Sequence, residues 1–395
     1  YNERERFKVS LLCVLRGKSM KNTLKIILLL LVACGVYLFV FYKTPEQRAF
    51  EKTLAAAQAG NAEAALAVAG LYAHGTGVKP NGAQAAEWYR KAAADGSAEA
   101  AWKLADLYIQ GTLVPQDLEE ALAYIQLAAR QGSARAQSEL GRFYAEGLAN
   151  LPVNRGEALY WWLQAAEAGD ESAQTAEQDA RLEEPELYEE VKRFLSVVKR
   201  AQEGDASARL EAGQGFRLGY PVARNDEEAL RWFTLAWEEG EKLPQAAYEL
   251  AQMYQKGEGV EKNEARAMEL FGAAAQAKNP DAQYTLGTFA YGANPPKYED
   301  AFAWFSNAAA GGSAQAQYMT GFMLMQGQGT NLSVPLAVKF FRDAAEQNYV
   351  AAQYVLGQIY WKGLGVPADK KAGEEWLQRA ADNGNESAKA LLAEK

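Results

Sequence analysis

The 395 residues carry 41 Lys and Arg against 50 Asp and Glu, a formal net charge of -9, with 2 cysteines and 1 histidine. An acidic chain argues against a nucleic-acid partner, which needs clustered cations to displace counterions. Two cysteines, at 13 and 34, allow no disulfide framework and no thiol-rich metal site in the body of the chain.

In chain order, residues 1–19 form a basic extension, and Met20-Lys21-Asn22-Thr23-Leu24-Lys25 has the character of a translation start with a basic flank. Residues 26–42 (IILLLLVACGVYLFVFY) hold no charge over 17 positions and close at Lys43 and Pro45. That length is at the lower limit for a membrane-spanning helix and long for a cleaved signal core, so residues 20–43 read as a membrane anchor or a lipoprotein signal. The lysines at 21 and 25 precede the span, which by the positive-inside rule sends the body across the membrane. Leu31-Val32-Ala33-Cys34 resembles the processing site of bacterial lipoproteins, with Cys34 as the lipidated residue. The aromatic stretch after Cys34 suits a bilayer and its interface better, and favours an uncleaved anchor. The expected location is the bacterial inner membrane, single-pass, with the body in the periplasm; the alternative is a lipoprotein anchored through Cys34.

Beyond the anchor, residues 44–60 open as a half-repeat, and then one interval dominates. An aromatic or apolar residue followed three positions later by glycine recurs as Tyr72/Gly75, Tyr108/Gly111, Tyr144/Gly147, Phe216/Gly219, Tyr254/Gly257, a blurred copy near Gly292, Leu324/Gly327 and Tyr360/Gly363. A fixed period of about 36 residues marks a solenoid. Residues 61–96 set the template: two Ala-rich segments with apolar residues at i, i+3 and i+4 flank the turn GTGVKPN, predicting a helix-turn-helix pair. Gly96 is a left-handed cap, repeated at Gly132, Gly169, Gly204, Gly240, Gly312 and Gly384, and once as Asn348, the next-best residue for that conformation. The second helices hold Trp88, Tyr124, Trp161, Trp232, Leu270, Trp304, Phe340 and Trp376 in one slot beside small residues, which predicts core packing for all eight. Residues 61–170 are repeats one to three and 206–385 repeats five to nine. Between them, 171–205 keep Gly204 but lack the glycine turn, with Pro185 dividing two helices; this is either a joint or a diverged copy. Residues 386–395 form a terminal cap.

The stretches AQYVLGQIYWKGLGVPADKKAGEEWLQRAADNG (352–384) and NAEAALAVAGLYAHGTGVKPNGAQAAEWYRKAAADG (61–96) resemble the Sel-one-like repeat (SLR) family, a branch of the tetratricopeptide-like superfamily. The resemblance spans about 61–395. It implies an all-α fold, a right-handed α-solenoid of eight or nine helix-turn-helix repeats that binds proteins on an inner face. A cysteine-rich branch of the family is linked to β-lactam binding; the repeats here lack those cysteines, and that activity is not carried over.

No catalytic constellation emerges. His74 stands alone beside Gly75-Thr76-Gly77 without a partnered nucleophile. Turns such as GEGV and GLGV lack the preceding strand and the lysine-serine ending of a phosphate loop, and the carboxylates at 183, 184, 186, 189 and 190 read as a solvated face. The expectation is a non-enzyme without cofactor, metal or small-molecule substrate, a scaffold for envelope proteins tethered through residues 26–42. The alternatives are an outer-membrane lipoprotein scaffold of a polysaccharide-export complex and, from another class, an enzyme or regulator in peptidoglycan turnover. The partner site is sought where a repeat departs from its template. Met319 and Phe322 replace polar or small residues at first-helix positions that hold Lys103, Glu139 and Glu249, and Asp106, Arg142 and Gln252; Met325 and Trp361 share a slot with Ala73, Ala145, Arg217 and Gln255. These four form the predicted partner-binding surface. The row Trp102, Tyr248, Tyr284, Tyr318 and Tyr354 reads as packing.

Overall fold

The computed structural model describes residues 25, 27–32, 43–239 and 241–393. Met20, Cys34 and Gly240 lie outside these residues, as does most of the 26–42 segment. Among the described residues no helix is long and apolar enough to cross a membrane.

All regular structure from residue 45 is helical, in segments mostly of 13 residues. The chain divides into two compact units, residues up to 153 with 161–177, and residues 154–160 with 178 onward. The first contains α1 (Pro45–Gln58), α2 (Ala62–His74), α3 (Gly82–Ala94), α4 (Ala98–Gln110), α5 (Leu118–Arg130) and α6 (Ala134–Glu146). Next come α7 (Arg155–Glu167) and α8 (Glu171–Glu183), each contributing to both units. The second unit continues with α9 (Pro185–Gln202), α10 (Ala206–Leu218), α11 (Asp226–Glu238), α12 (Pro244–Lys256), α13 (Glu264–Gln276), α14 (Pro280–Tyr291), α15 (Tyr298–Ala310), α16 (Ala314–Gln326), α17 (Val334–Glu346), α18 (Val350–Lys362), α19 (Lys370–Asp382) and α20 (Glu386–Ala393). Within each unit successive helices pack on one another, the arrangement of an α-solenoid.

Local chemistry sets the lengths. Most second helices are followed by a left-handed residue, and in most of these the next side chain caps the following helix. Gly96 has φ 93°, and Ser97 N–H then donates to the Ala92 carbonyl at 3.1 Å while its hydroxyl accepts from Ala100 N–H at 3.2 Å. Asn348 takes the same conformation at φ 64°. Lys278 does so as well, at φ 66°, a position that sequence alone does not flag. The short alanines behind these caps, Ala92/Ala93 and Ala380/Ala381 among them, are buried and allow close helix approach. Residues 171–205 contain two helices, with Pro185 as the first residue of the second.

One expectation is corrected. Of the slot predicted to be core throughout, Trp88, Trp232 and Leu270 are buried, but Tyr124, Trp161, Trp304, Phe340 and Trp376 are only half-buried. The residue one position later is the core residue in seven of the eight copies: Tyr89, Ile125, Phe233, Phe271, Phe305, Phe341 and Leu377 are all at most 4% exposed. The reason is steric. This side chain lies over the small residue in the middle of the first helix, and a Cβ added to Gly213 would come within 2.6 Å of Phe233, one on Gly287 within 2.7 Å of Phe305.

Candidate partner-binding surface

The first helices of the second unit carry a face that changes character along the chain. At its beginning, Arg217 at the end of α10 reaches the following repeat, pairing with Glu249 and placing Nη2 3.0 Å from the Gln252 side-chain oxygen and 3.2 Å from Glu258. Arg217 and Glu249 are each only 15% exposed, so the pair is largely desolvated and its partners hold it in one geometry. Arg224, bound to Asp226 at 2.8 and 3.0 Å, and Lys256, at 3.7 Å, also approach Glu258. The cations and carboxylates balance, and the cluster ties two repeats together.

Farther along, Thr285 and Thr288 turn their hydroxyls back to carbonyls of their own helix, at 2.8 and 3.0 Å. Then come the four predicted residues. All are half-buried. Phe322 and Met325 both pack on the core cluster that contains Leu324, Phe341 and Leu356. Met319 leans on Phe305 and Met323, and Trp361 on Leu377 and Ala380. The structure thus brings Phe322 and Met325 into one cluster and seats Met319 and Trp361 on the neighbouring ones. The Met325 slot is also filled by Ile109 and Tyr291, so an apolar residue there is less unusual than the sequence comparison implies.

The aromatic row packs. Tyr248, Tyr284 and Tyr318 stand 5.5–5.7 Å from Phe271, Phe305 and Phe341, and burial pushes the Tyr318 hydroxyl above the usual tyrosine range. His74 Nδ1 lies 2.8 Å from the Gly70 carbonyl oxygen, a helix-end contact. Among the described residues no three of His, Cys, Asp or Glu converge as metal ligands would.

Sequence reasoning missed a buried polar row. Gln137, Gln283 and Gln353 donate across the helix junction to the carbonyls of Ala129, Ala275 and Ala345 at 3.0–3.2 Å, and Arg209 does the same to Ala201. Asn279, Gln347 and Asn383, each at the end of a repeat, donate to the Gln245, Gln317 and Gln353 side-chain oxygens at the start of the same repeat at 2.8–3.1 Å. The signal was present as the recurring Ala-Gln pair at 136–137, 282–283, 316–317 and 352–353. Such satisfied buried polar groups fix the stacking register of neighbouring repeats.

Known sequences carry the same pattern. The family described as Sel1 repeat matches residues 62–97, 98–133, 134–170, 206–241, 244–279, 280–313, 314–349 and 350–385. Uncharacterized protein NMB1327 of Neisseria meningitidis is 29% identical over 154 residues, 39% of this chain and 31% of that protein. The chitin synthase regulator SKT5 of Saccharomyces cerevisiae is 36% identical over 112 residues, 27% of this chain and 16% of that protein. The chain therefore spans less than a third of the length of these curated relatives. A crystal structure of a Sel1 repeat protein from Oxalobacter formigenes is 28% identical, covering 87% of this chain and 89% of that one with a TM-score of 0.47.

Proposed function

The chain belongs to the Sel1 repeat family, whose repeats are protein-interaction modules, and from that premise we propose that it is a non-catalytic scaffold held at a bacterial envelope membrane through residues 26–42. On this reading the repeats face the periplasm, and envelope proteins dock on the first-helix face around Met319, Phe322, Met325 and Trp361. The observation that carries it is the half-burial of those four side chains: each packs on the core yet keeps part of its surface exposed. Methionine suits an adaptable binding surface, and tryptophan is enriched in binding hot spots.

The test is site-specific photocrosslinking in native membranes, with a photoreactive phenylalanine in place of Phe322 and, as control, Thr53 on α1. A discrete adduct with a periplasmic protein at 322, lost in Met319→Ala/Met325→Ala, supports the reading. Helical, cooperatively melting protein that gives no adduct at 322, or the same adducts at 53, refutes it.

A further inference from the structure

Three exposed leucines lie at one edge of the last repeats. Leu332 is 64% exposed, Leu364 47% and Leu336 42%. Two of them break the repeat pattern. Leu332, five residues after its turn glycine, stands where other repeats have Pro80, Gln116, Arg224, Lys262 and Ala368; Leu336, third in its helix, stands where others have Gln84, Glu120, Glu228, Arg266 and Asp300. The fold gathers them. The turn carrying Leu364 rests on the start of α17, so closely that a methyl added to Gly365 would overlap Val334, which sits between Leu332 and Leu336. Trp361 is three residues before Leu364, with Lys370 Nζ 5.9 Å over its ring.

The turn before Leu332 rests on the acidic start of α15, which carries Glu299 and Asp300, but past residue 300 the charge runs against the rest of the chain. Between 301 and 368 the only acids are Asp343 and Glu346, both in the last turn of α17, and its first turn has none. Exposed Lys339 lies one helical turn from Leu336, exposed Lys362 two residues from Leu364, and Lys370 and Lys371 open α19. Asp369, the nearest acid on that side, caps α19 by accepting from Ala372 N–H at 3.0 Å. Exposed apolar side chains rimmed by lysines, with a tryptophan beside them, fit a layer of phosphate headgroups above acyl chains.

We propose that this edge, Leu332, Leu336 and Leu364 with Lys339 and Lys362, docks on an anionic phospholipid surface. The leucines enter the boundary between headgroups and acyl chains, and the lysines lie over the phosphates. The docking is distinct from any tether at 26–42 and orients the last repeats against the bilayer. An acidic, apolar segment of a partner protein is the rival occupant.

The experiment uses the full chain with Cys13→Ser and Cys34→Ser and a nitroxide label on a single cysteine, at Leu336→Cys, at Leu364→Cys or, as control, at Glu346→Cys near the other end of α17. Because each label reports its own surroundings, attachment elsewhere in the chain does not produce the signal. On vesicles of phosphatidylcholine with phosphatidylglycerol, labels at 336 and 364 become accessible to oxygen and shielded from a water-soluble nickel chelate, while 346 stays in water. On phosphatidylcholine alone all three stay in water. Lys339→Glu and Lys362→Glu each reduce the docked fraction about fivefold, as does raised salt to a similar degree. Labels at 336 and 364 that remain in water on both vesicles overturn the proposal, as does lipid contact indifferent to charge. Labels that stay in water on vesicles but become immobilised when solubilised membrane proteins are added also overturn it, assigning the edge to a protein.

Discussion

The stacking of repeats rests on a close approach that one methyl group can test. Gly287, in the middle of α14, faces Phe305 of α15, and a Cβ there would lie 2.7 Å from two ring carbons and 3.1 Å from a third. Phe305 is 1% exposed, so the ring has little room to retreat. Gly272, in the interior of α13, has no atom within 4 Å of the same construction. Both substitutions to alanine gain the same helix propensity, about 1 kcal/mol. Their difference isolates the overlap, which overpacking of a filled core sets at about 1–3 kcal/mol. Gly272→Ala should therefore stabilise by about 1 kcal/mol, while Gly287→Ala is neutral to destabilising by about 2 kcal/mol. Repeat arrays can unfold in parts, so the readout is hydrogen exchange resolved to α14 and α15, alongside urea midpoints. The double variant Gly287→Ala/Phe305→Leu should cost less than the sum of its singles, because the methyl occupies space the ring vacates. Equal stabilisation by the two alanines would refute the close approach and, with it, the account of which aromatic residue forms the core.

The distinction between neighbouring aromatic residues gives a second expectation. Phe341 is fully buried and Phe340 half-buried, so Phe341→Ala should cost about 3–5 kcal/mol and Phe340→Ala about 1–2, measured by thermal melts; equal costs would contradict the assignment. A third concerns alkaline pH. Burial raises the Tyr318 and Tyr349 hydroxyls, whose rings are 5.4 Å apart, above the unfolded value of about 10. With the folded pKa raised, stability is intact below about pH 10 and drains as pH climbs toward the folded value, because the unfolded chain releases its protons first. Urea midpoints followed across that range should fall less steeply for Tyr318→Phe; an unchanged slope would place the ionisation elsewhere.

What the sequence disclosed follows from which interactions repeat. A cap that demands a left-handed backbone admits few residues, so Gly96 through Gly384 mark helix ends even where Asn348 substitutes. Lys278 escaped notice because its backbone obeys the cap while its side chain does not advertise it. The Trp slot misled because large apolar residues were equated with burial. The position after it wins the core because it lies over the glycine or alanine of the preceding helix, a relation between two helices that a count along one strip of sequence does not contain. The Arg217 cluster was equally hidden, since its partners Glu249 and Glu258 lie 32 and 41 residues away along the chain.

These differences bear on how a solenoid acquires function. The interactions that stack one repeat on the next, the capped ends, the aromatic residue over glycine and the glutamine junctions, occupy the interior and recur in several copies. Substitutions outside that set cost the stack little, so surface chemistry is free to vary from copy to copy. Unusual residues in the second unit are correspondingly local: a desolvated ion cluster between α10 and the turn after α12, and an apolar, acid-poor stretch from α16 to α18. A ligand spanning several identical repeats would need a repeated binding chemistry. The residues on these faces instead differ from repeat to repeat, which suits partners that recognise one position on the array rather than its whole length.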